Sequence, residues 1–327
     1  MSTKQQLLIY LKKHKGDWVS GESLAHTMAV SRAAIWKHVC NLREEGYVIE
    51  SSRKRGYILR QASDLLLADE IQEGLNTSTF GKRGIVYFSE TDSTNIRAKV
   101  IANDGAHEGT VVVAEKQTHG RGRRGRRWFS PPDDGIYTSI ILRPLLPPNE
   151  APKLTLLASV AVAEALISMT SLDVNIKWPN DILINGRKIA GILTEISTEM
   201  DRIDYVVIGV GLNVNTLCES FPSDIRDRAT SILMETGKPF PRIALLRAYL
   251  EWLEIYYETF KTKGFQPVMN RWKNLADIIG RRISVDMIDR VSTGEVLDVD
   301  KNGFLILRNN KGAIERIISG DVTLLNK

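Results

Sequence analysis

The nine residues from Gly120 to Trp128 read GRGRRGRRW, five arginines and three glycines in one short stretch. Like charges packed this closely repel one another unless they meet anions, which keeps the segment out of any core. Glycine lets a backbone approach a ligand and frees its N–H groups to cradle phosphate. Arginine adds a planar fork of donors that matches phosphate oxygens. Read alone, the stretch is a phosphate-gripping loop, a disordered basic loop or an RNA-binding arm. Trp128 either anchors it in the core or stacks on a ligand ring.

The surrounding pattern indicates what carries this stretch. From Ile85 onward strand-like runs recur: IVYF, TVVVAE, IYTSIIL, VNIKW, DILI, GILTEI and YVVIGVGLNV. An alanine- and leucine-rich helix from Leu154 to Met169 falls between them, and an amphipathic helix runs from about Ile243 to Phe260. Strands mixed with segregated helices predict an α+β arrangement. From Arg281 to Leu325 the runs RISVDMI, STGEVLDV, FLILRN and AIERIIS, parted by Gly or Asn turns, predict a small β-barrel.

The first sixty residues follow a different rule. Leu7, Leu8 and Leu11 mark a first helix ending near Gly16; Ser20 caps a short second helix, and Ser31 a third that puts Ile35, Val39 and Leu42 on one face. YVIESSRKRGYIL alternates, turns near Arg55-Gly56 and alternates again, as a two-stranded ribbon does. Helix-turn-helix plus ribbon predicts a winged helix. Residues 61–80 read as a linker with a helix from Leu65 to Leu75.

A chain of 327 residues implies two or three domains, and 43% hydrophobic with 25% charged residues is the balance of a soluble globular protein. Residues 1–65 hold 11 Lys/Arg against 6 Asp/Glu, whereas the remaining 262 hold 33 of each. The whole excess of +5 therefore sits at the N-terminus, as a nucleic-acid footprint or a solvated face. Cys40 and Cys218 are too few for a disulfide framework or a cysteine zinc site and read as reduced cytosolic thiols. No apolar run is expected to span a membrane, and the N-terminus lacks the features of a signal peptide.

Four further motifs can carry chemistry. KWPND (Lys177 to Asp181) is a strand end breaking at Pro179, which gathers Lys177, Asn180 and Asp181 at a sheet edge. GRKIAGIL places Lys188 at the start of an apolar strand, where a lysine has a charged partner, a task, or a route to the surface. ETDSTN (Glu90 to Asn95) offers hydroxyl and amide groups for an uncharged polar head group, or caps a helix. GVGLNVN (Gly209 to Asn215) brings backbone and Asn213 toward a ligand, or is only a glycine-bearing central strand. His14, His26, His38, His107 and His119 show no triad or metal spacing, and no metal ligands are assigned.

In this order the five motifs resemble the biotin–protein ligase family, and the winged helix resembles its bifunctional members, the biotin operon repressors. The resemblance covers nearly the whole chain. It implies a winged helix-turn-helix at residues 1–62, a mixed-sheet α/β catalytic domain of the biotin/lipoate ligase type at 63–274, and an SH3-like β-barrel at 275–327. Such enzymes use ATP, with Mg²⁺, to convert biotin to biotinyl-5′-adenylate. They then pass biotin to a lysine of an acceptor, typically the biotin carboxyl carrier protein of acetyl-CoA carboxylase. By motif position, Ser93, Thr94, Asn95 and Gln117 bind the ureido head, while Gly120, Arg121, Gly122 and Arg123 close over the tail. Lys188 meets the carboxylate and α-phosphate, and it acts with Arg121 and Arg123 in catalysis. Arg123, Arg124, Trp128, Asn180 and Asn213 form the nucleotide side, with Asp181 and Lys177 in support. Arg127 departs from the pattern, where related sequences often carry lysine.

The resemblance also implies that the adenylate is a corepressor that promotes a homodimer on operator DNA. Ser31, Arg32, Ala33, Trp36 and Lys37 then face the major groove, with Arg53, Lys54 and Arg55 on phosphates. Trp36 can instead be an ordinary core aromatic. Competing readings are a ligand-sensing transcription factor without ligase activity and a lipoate ligase fused to a DNA-binding domain. The expected location is the cytoplasm, with no membrane partner.

Overall fold

The computed structural model describes residues 2–325 apart from Met200, Asp277 and Ile288. The chain divides into two compact units, residues 1–65 and 66–327.

The first unit holds α1 (Thr3–Lys13), α2 (Gly21–Thr27), α3 (Arg32–Glu44), β1 (Val48–Ser52) and β2 (Gly56–Gln61). Ser2, Ser20 and Ser31 each cap a helix by accepting the N–H three residues on, which satisfies a donor left over at the helix start. Leu7, Leu11, Leu24, Ile35, Val39, Leu42 and Ile58 fill the core. Strands β1 and β2 pair antiparallel. At their turn Gly56 adopts φ +95°, and a Cβ there would lie 2.0 Å from the Val19 carbonyl oxygen, so only glycine fits. This is the winged helix-turn-helix that the serine spacing predicts.

The second unit opens with α4 (Ala68–Gln72), shorter than the Leu65–Leu75 helix expected because Leu66 and Leu75 enter the core outside the helix. Then follow β3 (Ile85–Phe88), α5 (Thr94–Asn103), β4 (Val111–Ala114), β5 (Gly135–Leu142) and α6 (Pro152–Thr170). Next come β6 (Val174–Lys177), β7 (Asp181–Ile184), β8 (Arg187–Glu199), β9 (Arg202–Asn213), α7 (Ile232–Thr236), α8 (Arg242–Lys263) and α9 (Gln266–Leu275). The seven strands form one sheet in the order β3-β4-β5-β9-β8-β7-β6. Strands β3 and β4 run parallel and every other neighbouring pair antiparallel, so the sheet is mixed.

Strand alternation separates two apolar layers. Val111, Val113, Ile140 and Leu142 face the large core with α6, α8 and α9, whereas Val112, Ile141 and Val207 face α5 through Ala98 and Ala102. One helical segment (Pro148–Thr170) is long and apolar enough to cross a membrane, but 72% of its apolar 18-residue window is buried within the protein, so it is the core helix under the sheet.

The last part holds β10 (Arg282–Asp286), β11 (Val291–Val299), β12 (Leu305–Asn309), β13 (Ile314–Ile317) and β14 (Asp321–Leu324). The final residue of the expected strand RISVDMI, Ile288, lies outside the described residues. The strands pair in the order β13-β12-β11-β10-β14, with no ladder joining the two edges among the described residues, so the expected small barrel is not closed there. Each edge strand has only four residues, and three residues part them. Ile283, Val296, Leu305 and Leu307 merge into the large core. The Trp178 indole also donates to the Gly303 carbonyl at 2.9 Å, tying this sheet to the central one.

Candidate ligand cleft and nucleic-acid face

A cleft of about 650 Å³ gathers most of the motif residues: Ser93, Thr94, Asn95, Gln117, Arg121, Gly122, Arg123, Trp128, Asn180, Lys188 and Asn213 line it, with Lys177 and Asp181. Gly120 and Arg124 do not. Gly120 is packed beneath the loop, where a Cβ would lie 2.5 Å from the Trp128 carbonyl oxygen.

One part of the cleft is polar and uncharged. Ser93 takes the N-cap position of α5 without using its side chain as a cap. The Thr94 N–H and hydroxyl both donate to Gln117 Oε1, at 2.9 and 3.2 Å, and Gln117 Nε2 donates to Ser130 Oγ at 2.9 Å. Gln117 therefore keeps a second amide hydrogen without a partner among the described residues. Asn95 donates to Glu195 Oε2 at 2.9 Å and to the Leu193 carbonyl at 3.3 Å.

The arginine stretch is an ordered hairpin. Trp128 N–H donates to the Gly120 carbonyl at 2.9 Å and Gly122 N–H to that of Arg126 at 2.7 Å, with Arg121 and Arg127 paired between them. The tip turns through Arg124 and Gly125, at φ 55° and 74°. Arg121 pairs with Glu195 at 3.3 Å, and Arg123 donates to Asn180 Oδ1 at 3.0 Å. Arg124 binds Asp321 at 3.2 Å and the Asp286 carbonyl at 3.1 Å, Arg126 also binds Asp321, and Arg127 donates to the Thr118 carbonyl at 2.8 Å. Burial pulls the Arg123 guanidinium down from the usual arginine pKa, with neighbouring Asp321 and Asp181 opposing that shift.

Lys188 is held in the cleft by Asp181, at 2.6 Å from its Oδ1, and lies 5.3 Å from the Trp128 ring centroid. The indole rests on the glycine-bearing strands: a Cβ on Gly211 would fall 2.3 Å from Trp128 Nε1, and one on Gly191 3.0 Å from its ring. That buried Nε1 has no hydrogen-bond partner among the described residues. Asn180 Nδ2 donates to the Ile192 carbonyl at 2.8 Å, and Asn213 Nδ2 to that of Thr230 at 3.0 Å.

The sequence reading missed several lining residues. Phe221, Asp224, Ile225, Arg228 and Ala229 reach the cleft from the connection between β9 and α7, a segment with no periodic pattern to flag it. It also missed Asp321 from the C-terminal sheet. Glu195 was visible as a lone acid inside the apolar run GILTEI.

In the first unit, Ser31 is spent on capping α3, while Arg32, Ala33 and Lys37 are exposed. Trp36 is 59% exposed, which removes it from the core. Arg53, Lys54 and Arg55 are exposed at the β1–β2 turn, and the Arg55 guanidinium lies 4.2 Å over the Trp18 ring.

Three families match in register with these parts: an HTH domain over residues 3–58, the biotin/lipoate A/B protein ligase family over 87–213, and the biotin protein ligase C-terminal domain over 278–325. The chain is 40% identical to the bifunctional ligase/repressor BirA of Bacillus subtilis, over 99% of each chain. It is 32% identical to that of Escherichia coli, over 94% of each. The structure of the Aquifex aeolicus biotin protein ligase in complex with biotin and ATP superposes with a TM-score of 0.64 at 30% identity, over 75% of this chain and all of that one. The HTH unit, the cleft under an arginine hairpin and the full-length identity agree: this chain belongs to the biotin protein ligase family, among its bifunctional ligase/repressors.

Proposed function

We infer that the protein is an ATP-dependent biotin–protein ligase that also acts as a transcriptional repressor. The observation that carries the ligase reading is the meeting of Lys188, Arg121 and Arg123 in one cleft with an uncharged, hydrogen-bonding pocket. The biotin carboxylate is the nucleophile: it attacks the α-phosphate of ATP, and the bond to the leaving pyrophosphate breaks. The ε-amine of an acceptor lysine then attacks the carbonyl of biotinyl-5′-adenylate, and AMP departs. The first step needs charge stabilisation and the positioning of two anions, for which fixed cations suit better than an enzyme nucleophile.

In this reading Ser93, Thr94 and Gln117 meet the ureido head, the spare Gln117 amide hydrogen facing a carbonyl acceptor, and Asn95 walls the same pocket. Arg121, Gly122 and Arg123 close over the tail, with Gly120 packed beneath the hairpin rather than against the ligand, and Lys188 bridges the carboxylate and the α-phosphate. Asn180 and Asn213 belong to the nucleotide side, whereas Arg124, outside the cleft, supports the hairpin through Asp321. Trp128 offers a flat wall beside Lys188 for a ligand ring, assigned to adenine. Among the described residues no group of three acids, histidines or cysteines could hold a metal. That donor set fits Mg²⁺ arriving on the ATP phosphates, since this ion keeps several waters and needs few protein ligands. Bound there it would neutralise phosphate charge.

The acceptor is a biotin carboxyl carrier protein, and the setting is the cytoplasm, where ATP, carrier and chromosome meet. The three matched families support three domains, 1–62, 63–274 and 275–327, the last an open variant of an SH3-like barrel. For the regulatory activity, Arg32, Ala33, Trp36 and Lys37 read bases behind the Ser31 cap, and Arg53, Lys54 and Arg55 hold phosphates. The adenylate promotes a homodimer that binds a palindromic operator.

Biotin-dependent ATP–pyrophosphate exchange tests the ligase reading: exchange is expected with biotin and not with lipoate. Exchange with neither acid, or with lipoate alone, overturns it. The repressor reading expects DNA affinity that rises with the adenylate and falls steeply with salt.

A further inference from the structure

Glu195 takes no part in the chemistry above, yet its carboxylate touches both halves of the cleft. It sits on β8 with a side chain only 16% exposed. Oε2 accepts from Asn95 Nδ2 at 2.9 Å, while Oε1 receives Lys99 Nζ at 2.5 Å and Arg121 Nη1 at 3.3 Å. Burial alone would raise its pKa. The Lys99 ammonium, the Asn95 amide and the Arg121 guanidinium outweigh that and hold the carboxyl below the usual glutamate range.

Asn95 is fully committed within this network. Its second amide hydrogen goes to the Leu193 carbonyl, and its Oδ1 lies 2.6 Å from the Ser139 hydroxyl. Strand β9 makes room for it by lacking a side chain at Gly209, where a Cβ would fall 1.9 Å from Asn95 Oδ1. An asparagine whose two N–H groups are both spent on the protein shapes a pocket; it does not donate to what fills it.

We propose that Glu195 is a positioning residue for adenylate formation. Its carboxylate ties Arg121 of the arginine hairpin to the asparagine wall of the head-group pocket, so that the hairpin is aligned over a ligand whose head is already seated. This rests on the reading of the cleft as a biotin and ATP site. Glu195→Gln keeps an oxygen acceptor for Asn95 but removes the charge that draws Arg121. The head pocket therefore stays intact while Arg121 loses its tether.

The test is biotin-dependent ATP–pyrophosphate exchange on the full-length wild type, Glu195→Gln, Arg121→Gln and the double variant. For Glu195→Gln we expect turnover to fall about fivefold, the range of a partly exposed ion pair, with the half-saturating biotin concentration within about twofold of wild type. Adding Glu195→Gln to Arg121→Gln is expected to cost nothing further, because the tether is already cut. Should Glu195→Gln fail to fold, Glu195→Asp, which keeps the charge but draws it back from Arg121, must still lower turnover with biotin half-saturation within about twofold of wild type. Wild-type turnover in Glu195→Gln, effects that multiply in the double variant, or a rise confined to biotin half-saturation each overturns the positioning role. Absence of biotin-dependent exchange in the wild type overturns the site reading itself, and the role of Glu195 with it.

Discussion

Two clusters of cationic side chains sit on this chain, and they differ in whether their charges already have partners. In the hairpin of residues 120–128 every guanidinium is engaged: Arg121 by Glu195, Arg123 by Asn180, Arg124 and Arg126 by Asp321, Arg127 by the Thr118 carbonyl. On α3 and the wing, Arg32, Lys37, Arg53 and Lys54 have no hydrogen-bond or ion-pair partner from their side chains among the described residues, and Arg55 stacks on Trp18. A small anion with one reacting centre is best met by donors fixed beforehand, because no reorganisation is then needed as charge develops. A long polyanion is better met by cations that reach for phosphates and release counterions.

That contrast can be broken most directly at Lys188. Lys188→Ala is expected to lower biotin-dependent pyrophosphate exchange roughly 100- to 1000-fold, the usual effect of losing one transition-state donor. With the adenylate supplied, its DNA affinity should stay near wild type; loss of DNA binding with exchange intact would reverse the assignment of the two clusters. Arg32→Ala should do the opposite, weakening operator binding roughly 5- to 100-fold with exchange unchanged. Lys54→Ala should weaken binding evenly across sequences and reduce the salt slope by about one, measured by titration at several salt concentrations.

Smaller effects sharpen the hairpin side. Asp321→Asn removes the charge that pairs Arg124 and Arg126, leaving Arg124 only Asp286, and should raise half-saturating ATP about fivefold with little change for biotin, as expected of partly exposed pairs. Equal shifts for both substrates would mean that Asp321 supports the fold alone. Because the native Glu195 pKa lies below its unfolded value, its stabilisation is complete above the ordinary glutamate range and is lost as pH falls through the native pKa. Wild type should therefore unfold at a higher temperature than Glu195→Gln at neutral pH, and the gap should close under acid. A gap that persists at low pH would exclude the ionised carboxylate as its source.

Much of the molecule was legible in the residues. Ser20, Ser31 and the Ile35/Val39/Leu42 stripe specified the helix-turn-helix because caps and periodicity are local properties. The motifs at 90–95, 120–128, 177–181, 188 and 209–213 all reached one cleft or its walls, since each falls at a strand or helix end of the same sheet. Asp321 was not legible: it joins the arginine hairpin across about two hundred residues, and no local pattern encodes that approach. The residues Phe221 to Ala229 escaped for a related reason, as an irregular connection acquires meaning only from what it lies against. The apolar helix at 148–170 was legible as a helix, but hydropathy gives only its apolar content, whereas burial beneath a sheet is a property of its neighbours.

Element types, the two charge regimes and the chemistry on offer follow from local residue pattern, because propensity, capping and residue type act over a few positions. The pairings arise from packing: Lys188 with Asp181, Arg121 with Glu195, Arg124 and Arg126 with Asp321. It also decided that the C-terminal strands stay open as a sheet. These outcomes depend on distances between residues far apart in the chain, which packing of the shared core sets.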